Sequence, residues 1–361
     1  MFKKVCSLVG LLSLPLLGEV SLEHKIGQML MVGFHGISAA PSSQICKDIK
    51  NYHVGSVILF DYNPVDKSKP KNIATKAQLH KLTSELQACT SDGKLLIAVD
   101  QEGGRVQRLK SKYGFYGKFP KASDVIKMDQ SKIKSTYTKM SAELKSVGIN
   151  YDLAPVVDLD INMQNHVIHG LGRSFGKDPK VVAKYASTFI DAMHSNGVLT
   201  SLKHFPGHGS SMGDTHKGFV DVTNLWKEVE LEPYRLLKDK ADTVMVAHVF
   251  NKKLDDIYPA SLSYKTITKM LRWKLGYHGV VITDDLQMGA ISKKYGLKNT
   301  LKLAINAGDD ILLIGNQLDP KQVKTTKVLV ETIEALIKSG EVKVESINKA
   351  YARIQKLKEK L

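Results

Sequence analysis

Cysteine, tryptophan and arginine are all scarce in this chain. Only three cysteines and two tryptophans occur among its 361 residues, and six of its 52 basic residues are arginines. So few cysteines exclude a disulfide-dense scaffold, and a chain of this length can bury a large core without one. Internal repeats, low-complexity linkers and a second-domain boundary are also lacking, so the sequence predicts a single domain over residues 20–361.

The charge balance is strongly basic, with a formal net charge of +16 at pH 7. A lysine-rich solvated surface explains this balance better than a dedicated anion-binding face. The other interpretation is attraction to an acidic partner, such as nucleic acid, a membrane surface or a cell-wall polymer. No compact Lys/Arg block with interleaved aromatic residues occurs in the sequence, which argues against nucleic acid.

The first residues have the pattern of a secretory signal peptide. Lys3 and Lys4 form a basic start, residues 5–17 are apolar but too few to span a membrane stably, and Gly18 is a small residue suited to cleavage. We therefore expect a signal peptide over residues 1–19, export to the periplasm or the cell exterior, and no stable membrane insertion. The alternative is a buried N-terminal helix, and an uncleaved protein would stay cytoplasmic.

Short apolar runs recur along the chain, with helical patterns between them. Eight runs are candidate strands, at residues 26–34, 54–60, 95–99, 151–157, 199–203, 244–249, 280–283 and 311–314. Continuous rather than alternating apolar runs are typical of parallel strands that are buried on both faces. Eight strands alternating with helices predict an α/β fold, and a TIM (β/α)₈ barrel rather than a doubly wound sheet.

The intervening segments carry helix start and stop signals. Asp178 and Pro179 begin one helix, whose apolar stripe ends before Gly197. Asp319-Pro320 and Gly340 bracket a second helix. A third carries an apolar stripe that ends at Gly148, and residues 342–361 read as a closing amphipathic helix. The third stripe consists of Ile133, Tyr137, Met140 and Leu144.

Two cysteines, Cys46 and Cys89, remain after the predicted cleavage. In this arrangement they lie on the first and second outer helices, which are neighbours in a barrel. A thiol pair in an oxidising compartment can bond, and we hypothesise a disulfide here. Two separate buried thiols are the alternative.

Polar residues follow several of the predicted strands, where barrel enzymes place their chemistry. They are Asp100 after the third strand, Lys203 and His204 at the fifth, His248 near the sixth, and Asp284 and Asp285 at the seventh. A single Asp after a strand often caps the next helix. Several such residues at one barrel mouth instead indicate an active site.

The segment KHFPGHG at residues 203–209 is followed by Asp214 and His216. These two side chains are close enough in sequence to pair across a turn. A carboxylate bound to one imidazole nitrogen fixes the tautomer, and the other nitrogen can then give and take a proton. His204, His208 and His216 also suggest zinc, but Pro206 and Gly207 interrupt the helical face that such a site would use. We therefore expect no metal here; a purely structural histidine loop is a better alternative than zinc, and catalysis is better than either.

Glycoside cleavage with retention needs a carboxylate on the sugar face opposite the proton donor. Asp284 and Asp285 are candidates, but successive residues of a strand point in opposite directions and the pattern alone does not choose between them. Asp100 and Arg108 could clamp vicinal hydroxyls, and Arg173 lies in a similar glycine-rich frame after the fourth strand.

Four ordered motifs together resemble glycoside hydrolase family 3, in its single-domain β-N-acetylhexosaminidase branch. They are VDQEGGRVQR at residues 99–108, GRSF at 172–175, KHFPGHG with the later D-T-H, and ITDDLQMGA at 282–290. The resemblance covers residues 22–318. It implies a retaining hydrolase that removes terminal N-acetylglucosamine from cell-wall glycans through a covalent glycosyl-enzyme, without a cofactor or a metal. The implied partner is an amino-sugar oligosaccharide or muropeptide, and we expect a monomer.

The resemblance also implies a role for each matching position. Asp284 matches the nucleophile, and His216 matches the proton donor and acceptor, with Asp214 as its partner. The residues that match the binding site for the terminal sugar are Asp100, Arg108, Arg173, Lys203 and His204. A metal-dependent hydrolase, an inactive wall-binding protein and a family 3 β-glucosidase are the rival interpretations. The Asp–His pair and the missing second domain argue against the glucosidase.

This sequence departs from the family pattern in the loop that carries the pair. Ser-Ser-Met-Gly stands between Gly209 and Asp214, Thr215 replaces the usual serine, and Gly218-Phe219 stands where Leu-Pro is frequent. These departures affect the expected loop mobility and leaving-group preference but leave the pair intact. The signal peptide is a further departure, because many Gram-negative relatives are cytosolic.

Overall fold

The computed structural model describes residues 20–66, 68–216, 218–318 and 320–361. The predicted signal peptide over residues 1–19 lies outside these residues and stays a prediction. Within the described residues, no helix is both long and apolar enough to cross a membrane.

Buried apolar runs form a barrel of parallel strands at the centre of the molecule. The barrel strands are β1 (Leu30–Gly33), β2 (Ser56–Ile58), β3 (Leu96–Val99), β4 (Tyr151–Asp152), β5 (Leu199–Phe205), β7 (Thr243–Val246), β9 (Val280–Thr283) and β10 (Leu312–Ile314), while β6 (Val220–Asp221) pairs with β8 (Val249–Phe250) outside it. The order is β10-β1-β2-β3-β4-β5-β7-β9, and a parallel bridge from Ile282 to Ile311 joins the two ends. The predicted single-domain TIM barrel is confirmed.

Helices cover the outside of the barrel. They are α1 (Leu22–Gln28), α2 (Gln44–Tyr52), α3 (Lys76–Ala88), α4 (Ala122–Val125), α5 (Gln130–Ser146), α6 (Pro179–His194), α7 (Glu232–Leu237), a π-helical segment (Lys265–Lys274), α8 (Gly289–Ala307), α9 (Thr326–Lys338) and α10 (Val344–Lys358). Their apolar faces pack on the strands, so every barrel strand is buried on both sides. This explains why the strands read as continuous apolar runs.

Several helix predictions are confirmed by the capping and burial pattern. The Asp178 carboxylate accepts a hydrogen bond from the Lys180 backbone at 2.8 Å, and Pro179 occupies the first turn of α6. The predicted stripes of α5 and α6 are buried, and α10 closes the chain as expected. Local sequence signals were sufficient here because each cap stands next to its apolar stripe.

Two predicted boundaries are wrong. The apolar run at residues 26–34 begins as the end of α1 and becomes strand only at Leu30, since a short apolar run does not distinguish a buried helical turn from a strand. The second helix was expected from Asp319-Pro320. Asp319 lies outside the described residues, Pro320–Gln322 forms a short 3₁₀ turn, and the α-helix begins only at Thr326. The Thr325 hydroxyl caps it by accepting from the Val328 backbone at 3.3 Å.

Cys46 and Cys89 form a disulfide with a Cα–Cα distance of 5.3 Å. The bond joins α2 to the C-terminal end of α3, two neighbouring helices on the outside of the barrel. The hypothesis of a disulfide is therefore confirmed, and the alternative of two separate thiols is wrong.

Candidate active site

A cavity of about 850 Å³ opens at the carboxyl ends of the barrel strands. All of the site residues expected from the sequence line it. They are Asp100, Arg108, Arg173, Lys203, His204, Asp214, His216 and Asp284. The strands position four of these side chains, because Asp100 and Asp284 directly follow β3 and β9, and Lys203 and His204 lie near the end of β5. Arg108 comes from the loop after β3. Arg173 and the pair Asp214–His216 come from longer loops.

Ion pairs organise the floor of the cavity. Lys203 donates to Asp100 at 2.9 Å, and Arg108 donates to the other oxygen of Asp100 at 3.0 Å. Burial would raise the pKa of Asp100, but the two cations outweigh it and hold that pKa well below its usual range. Asp100 is therefore charged and held in place before any substrate arrives.

Glu102 completes this floor, and the sequence analysis did not single it out. Arg173 donates to its two oxygens at 2.8 and 2.7 Å, and Lys203 lies 2.7 Å from it. Burial alone would raise the pKa of Glu102, but Arg173 and Lys203 lower it to about 2. We call Asp100, Glu102, Arg108, Arg173 and Lys203 the ion-pair floor.

His204 is fixed by Asp158, a second residue that the sequence analysis missed. The Asp158 carboxylate lies 2.6 Å from His204 Nδ1 and accepts from the backbone amides of His204 and His208 at 3.2 and 2.8 Å. Burial opposes ionisation, yet His204 and His208 keep the pKa of Asp158 below its ordinary value. His204 Nε2 is then left beside Arg173, at 3.3 Å.

Asp214 and His216 pair as the sequence predicts. Asp214 Oδ1 lies 2.9 Å from His216 Nδ1 and also accepts from the His216 backbone amide at 3.0 Å. The His216 side chain is 56% exposed and lines the cavity. A carboxylate on Nδ1 is the arrangement that lets the other ring nitrogen, Nε2, pass a proton in both directions.

Asp284 lies at the end of β9, on the same cavity. Burial would raise its pKa, but the rings of His248, His204 and His216 lower it below the ordinary value. Its Oδ1 accepts from the Asp285 backbone at 2.8 Å, so one carboxylate oxygen is held while the group stays charged. A charged, oriented carboxylate is suited to attack an electrophilic carbon.

Asp285 has a different environment from Asp284. Its Oδ1 accepts from the backbone amides of Gln287 and Gly315 at 3.0 and 3.1 Å. Burial raises the pKa of Asp285 to about 6. These contacts tie the end of β9 to the end of β10, which makes Asp285 a support for the wall and Asp284 the available carboxylate.

Two further histidines at this end of the barrel, His208 and His248, have hydrogen-bond partners. His208 Nδ1 lies 2.7 Å from the Ser211 hydroxyl, and His248 lies between the Ser261 hydroxyl at 2.6 Å and the Asp285 carbonyl oxygen at 2.9 Å. Burial lowers the pKa of His208 to about 4. Across the part of the chain that the structure describes, no group of three or more His, Cys, Asp or Glu is arranged to hold a metal ion.

Comparison with known proteins relates this chain to a family. The profile described as "Glycosyl hydrolase family 3 N terminal domain" matches residues 21–357. The beta-hexosaminidase A of Pseudoalteromonas piscicida is 33% identical, over 95% of this chain and 62% of its own length. The beta-hexosaminidase LpqI of Mycobacterium tuberculosis is 32% identical, over 94% of this chain and 83% of its own length. The chain thus spans less than two thirds of the first of these relatives.

Solved structures share the whole barrel. A family 3 beta-N-acetylglucosaminidase from a Paenibacillus species has a TM-score of 0.84 and 33% identity, and the match covers 94% of this chain and 62% of that one. A beta-N-acetylhexosaminidase from Beutenbergia cavernae has a TM-score of 0.80 and 30% identity, with 94% of this chain and 99% of that one covered.

Proposed function

The chain belongs to glycosyl hydrolase family 3, and on that premise we propose that it is a retaining β-N-acetylhexosaminidase. Its substrate would be a glycan with a terminal, non-reducing N-acetylglucosamine. The observation that carries the proposal is the cavity itself, where the charged carboxylate of Asp284 and the Asp214–His216 pair line one space. The names of the related proteins support the choice of sugar.

The first step is attack on the sugar. An Asp284 oxygen forms a bond to C1 as the bond from C1 to the leaving oxygen breaks, and His216 Nε2 gives its proton to that oxygen. The leaving group departs as a neutral alcohol, and the sugar stays attached to Asp284 as an ester. Asp214 stabilises the imidazolium form that precedes the transfer, because its carboxylate lies on Nδ1.

The second step releases the sugar. His216, now neutral, takes a proton from water while the water oxygen bonds to C1 and the ester bond to Asp284 breaks. Two displacements at one carbon return the original configuration. One residue serves as acid and then as base, so the mechanism needs only one carboxylate at C1.

The ion-pair floor would hold the sugar during both steps. Asp100 and Arg108 present an acceptor and a donor side by side, and Lys203 and His204 lie next to them. Each of these groups is already bonded and oriented before binding, so the sugar meets fixed partners. We assign Asp100, Arg108, Arg173, Lys203 and His204 to the terminal N-acetylglucosamine.

We also propose that the natural substrate is a peptidoglycan-derived glycan or muropeptide, met in the periplasm or outside the cell. The signal-peptide pattern at residues 1–19 supports the location, and the net charge of +16 suits an anionic polymer. We also propose that the protein acts as a monomer.

Hydrolysis of two aryl glycosides tests the proposal. Wild type should cleave an aryl N-acetyl-β-glucosaminide much faster than the matching aryl β-glucoside. A preference for the glucoside would contradict the assigned sugar. Binding of wall fragments without hydrolysis of either glycoside would indicate an inactive binding protein. Unchanged activity after chelation would dismiss a metal-dependent hydrolase.

A further inference from the structure

Asn165 is a buried amide in the loop after β4, and it is not one of the proposed catalytic or sugar-binding residues. Its side chain makes five hydrogen bonds, and the residue is 1% exposed. Nδ2 donates to the carbonyl oxygens of His208 and Gly209 at 2.8 and 3.1 Å and to the Ser211 hydroxyl at 3.3 Å. A buried amide with this many partners fixes the backbone around it.

The acceptor side of the same amide reaches the loop that carries Arg173. Oδ1 accepts from the backbone amides of Val167 and Ile168 at 3.0 and 2.9 Å. The Ile168 carbonyl oxygen in turn accepts from the Arg173 backbone at 2.9 Å. One side chain therefore joins the loop of a sugar-binding arginine to the start of the loop that carries His216.

We define the dyad loop as residues 208–216 and its base as residues 208–211. Asn162 also holds the base, because its Nδ2 donates to the Ser210 and Ser211 carbonyl oxygens, each at 3.0 Å. Gly209 packs against the chain below it so closely that a Cβ would lie 1.8 Å from the Leu159 carbonyl oxygen. The base is thus held by side chains and by contact, although it has no regular secondary structure.

We propose that Asn165 is a positioning residue for acid–base catalysis. It sets the dyad loop relative to the bound sugar, so that His216 Nε2 meets the leaving oxygen. This inference rests on the proposed function, because it needs His216 to be the proton donor. The donor half of the amide carries the effect, since it holds the loop base while the acceptor half holds the Arg173 loop.

The isosteric variant Asn165→Asp separates the two halves. Aspartate keeps an acceptor for Val167 and Ile168 but places an oxygen against the carbonyl oxygens of His208 and Gly209. We expect kcat/KM for an N-acetylglucosaminide with a poor alkyl leaving group to fall roughly tenfold or more, which is part of the roughly 10²–10⁴-fold that proton transfer contributes. For a dinitrophenyl leaving group, which needs no proton, kcat/KM should change less than about twofold.

Asn150→Asp is the matched control. Its amide also bonds two backbone groups, the Ile97 amide at 2.7 Å and the Leu95 carbonyl oxygen at 2.8 Å, but it lies at the opposite end of the barrel. This variant should lose stability without changing the ratio of the two kcat/KM values. If Asn165→Asp does not fold, Asn162→Asp tests the same base and should shift the ratio in the same direction.

Equal losses on the two substrates in both Asn165→Asp and Asn162→Asp would overturn the positioning role. An unchanged ratio with unchanged rates would overturn it as well. Failure of the proposed function gives a different result, because wild type itself would then not hydrolyse either N-acetylglucosaminide.

Discussion

The ion-pair floor and the dyad loop face the same cavity but are built in opposite ways. The floor is closed before substrate arrives, with the Lys203 side chain 3% exposed and bonded to two carboxylates. The dyad loop is open at its tip, where the His216 side chain is 56% exposed and its described partner is Asp214. Groups that recognise a sugar gain from fixed positions, whereas a group that serves a leaving alcohol and then a water must be reachable by both.

Asp284 belongs to neither region but is held in place like the floor, and its removal should have the largest effect. Asp284→Ala should lower kcat for aryl N-acetylglucosaminides at least about a thousandfold, since no other group supplies the nucleophile. Unfolding by denaturant should show a fold of near wild-type stability. Residual activity above about a tenth of wild type would contradict the assignment.

In the dyad loop, His216→Ala should lower kcat/KM by an amount that depends on the leaving group. We expect kcat/KM to fall about 10²-fold or more for alkyl leaving groups and far less for dinitrophenyl ones, because only the alkyl groups need the proton. The free energy of unfolding should stay within about 0.5 kcal/mol of wild type, as is usual for an exposed side chain. Equal kinetic losses would remove His216 from the acid role.

Substitution in the floor should instead lower stability. Lys203→Met leaves Asp100 and Glu102 without their shared cation, and we expect the free energy of unfolding to fall by about 3 kcal/mol. Binding of N-acetylglucosamine should weaken as well. Chemical denaturation and product-inhibition measurements check the two effects. A variant as stable as wild type would mean that the ion pairs of the floor do not contribute to the free energy of unfolding.

The smallest expected effect is the acid sensitivity of the floor. Glu102 has a folded-state pKa of about 2 against an ordinary value of 4.5, so it stabilises the fold above pH 4.5 and loses that contribution as the pH falls toward 2. Glu102→Gln should flatten the fall in stability over this window. Parallel curves for variant and wild type, measured by thermal unfolding, would contradict the assigned ionisation.

Site residues at strand ends can be predicted from the apolar runs of the sequence, whereas those in irregular loops cannot. Asp100, Lys203 and Asp284 follow buried apolar runs, so the rule for barrel strand ends finds them. Asp158 obeys that rule too, one residue after the run at 151–157, and could have been found by it. Glu102 and Asn165 lie in irregular loops, where the partners come from distant segments and no periodicity marks them.

Fold prediction succeeded for a related reason. Eight apolar runs are a repeated, redundant signal, and the error at residues 26–34 did not change the strand count. The start of α9 was predicted too early because Pro320 begins only a short 3₁₀ turn (Pro320–Gln322), whereas the Thr325 hydroxyl caps the α-helix itself. The order of strands around the barrel then followed from the chain order alone.

One measurement tests the roles of Asp284 and His216 together. The variant His216→Ala, mixed with a dinitrophenyl N-acetylglucosaminide and quenched in acid, should retain the sugar, because attack needs no proton there but release needs a base. Peptide mass spectrometry should find one N-acetylhexosamine residue on Asp284. An adduct on Asp285 or any other side chain, or full turnover with no adduct and an inverted product, would contradict the account.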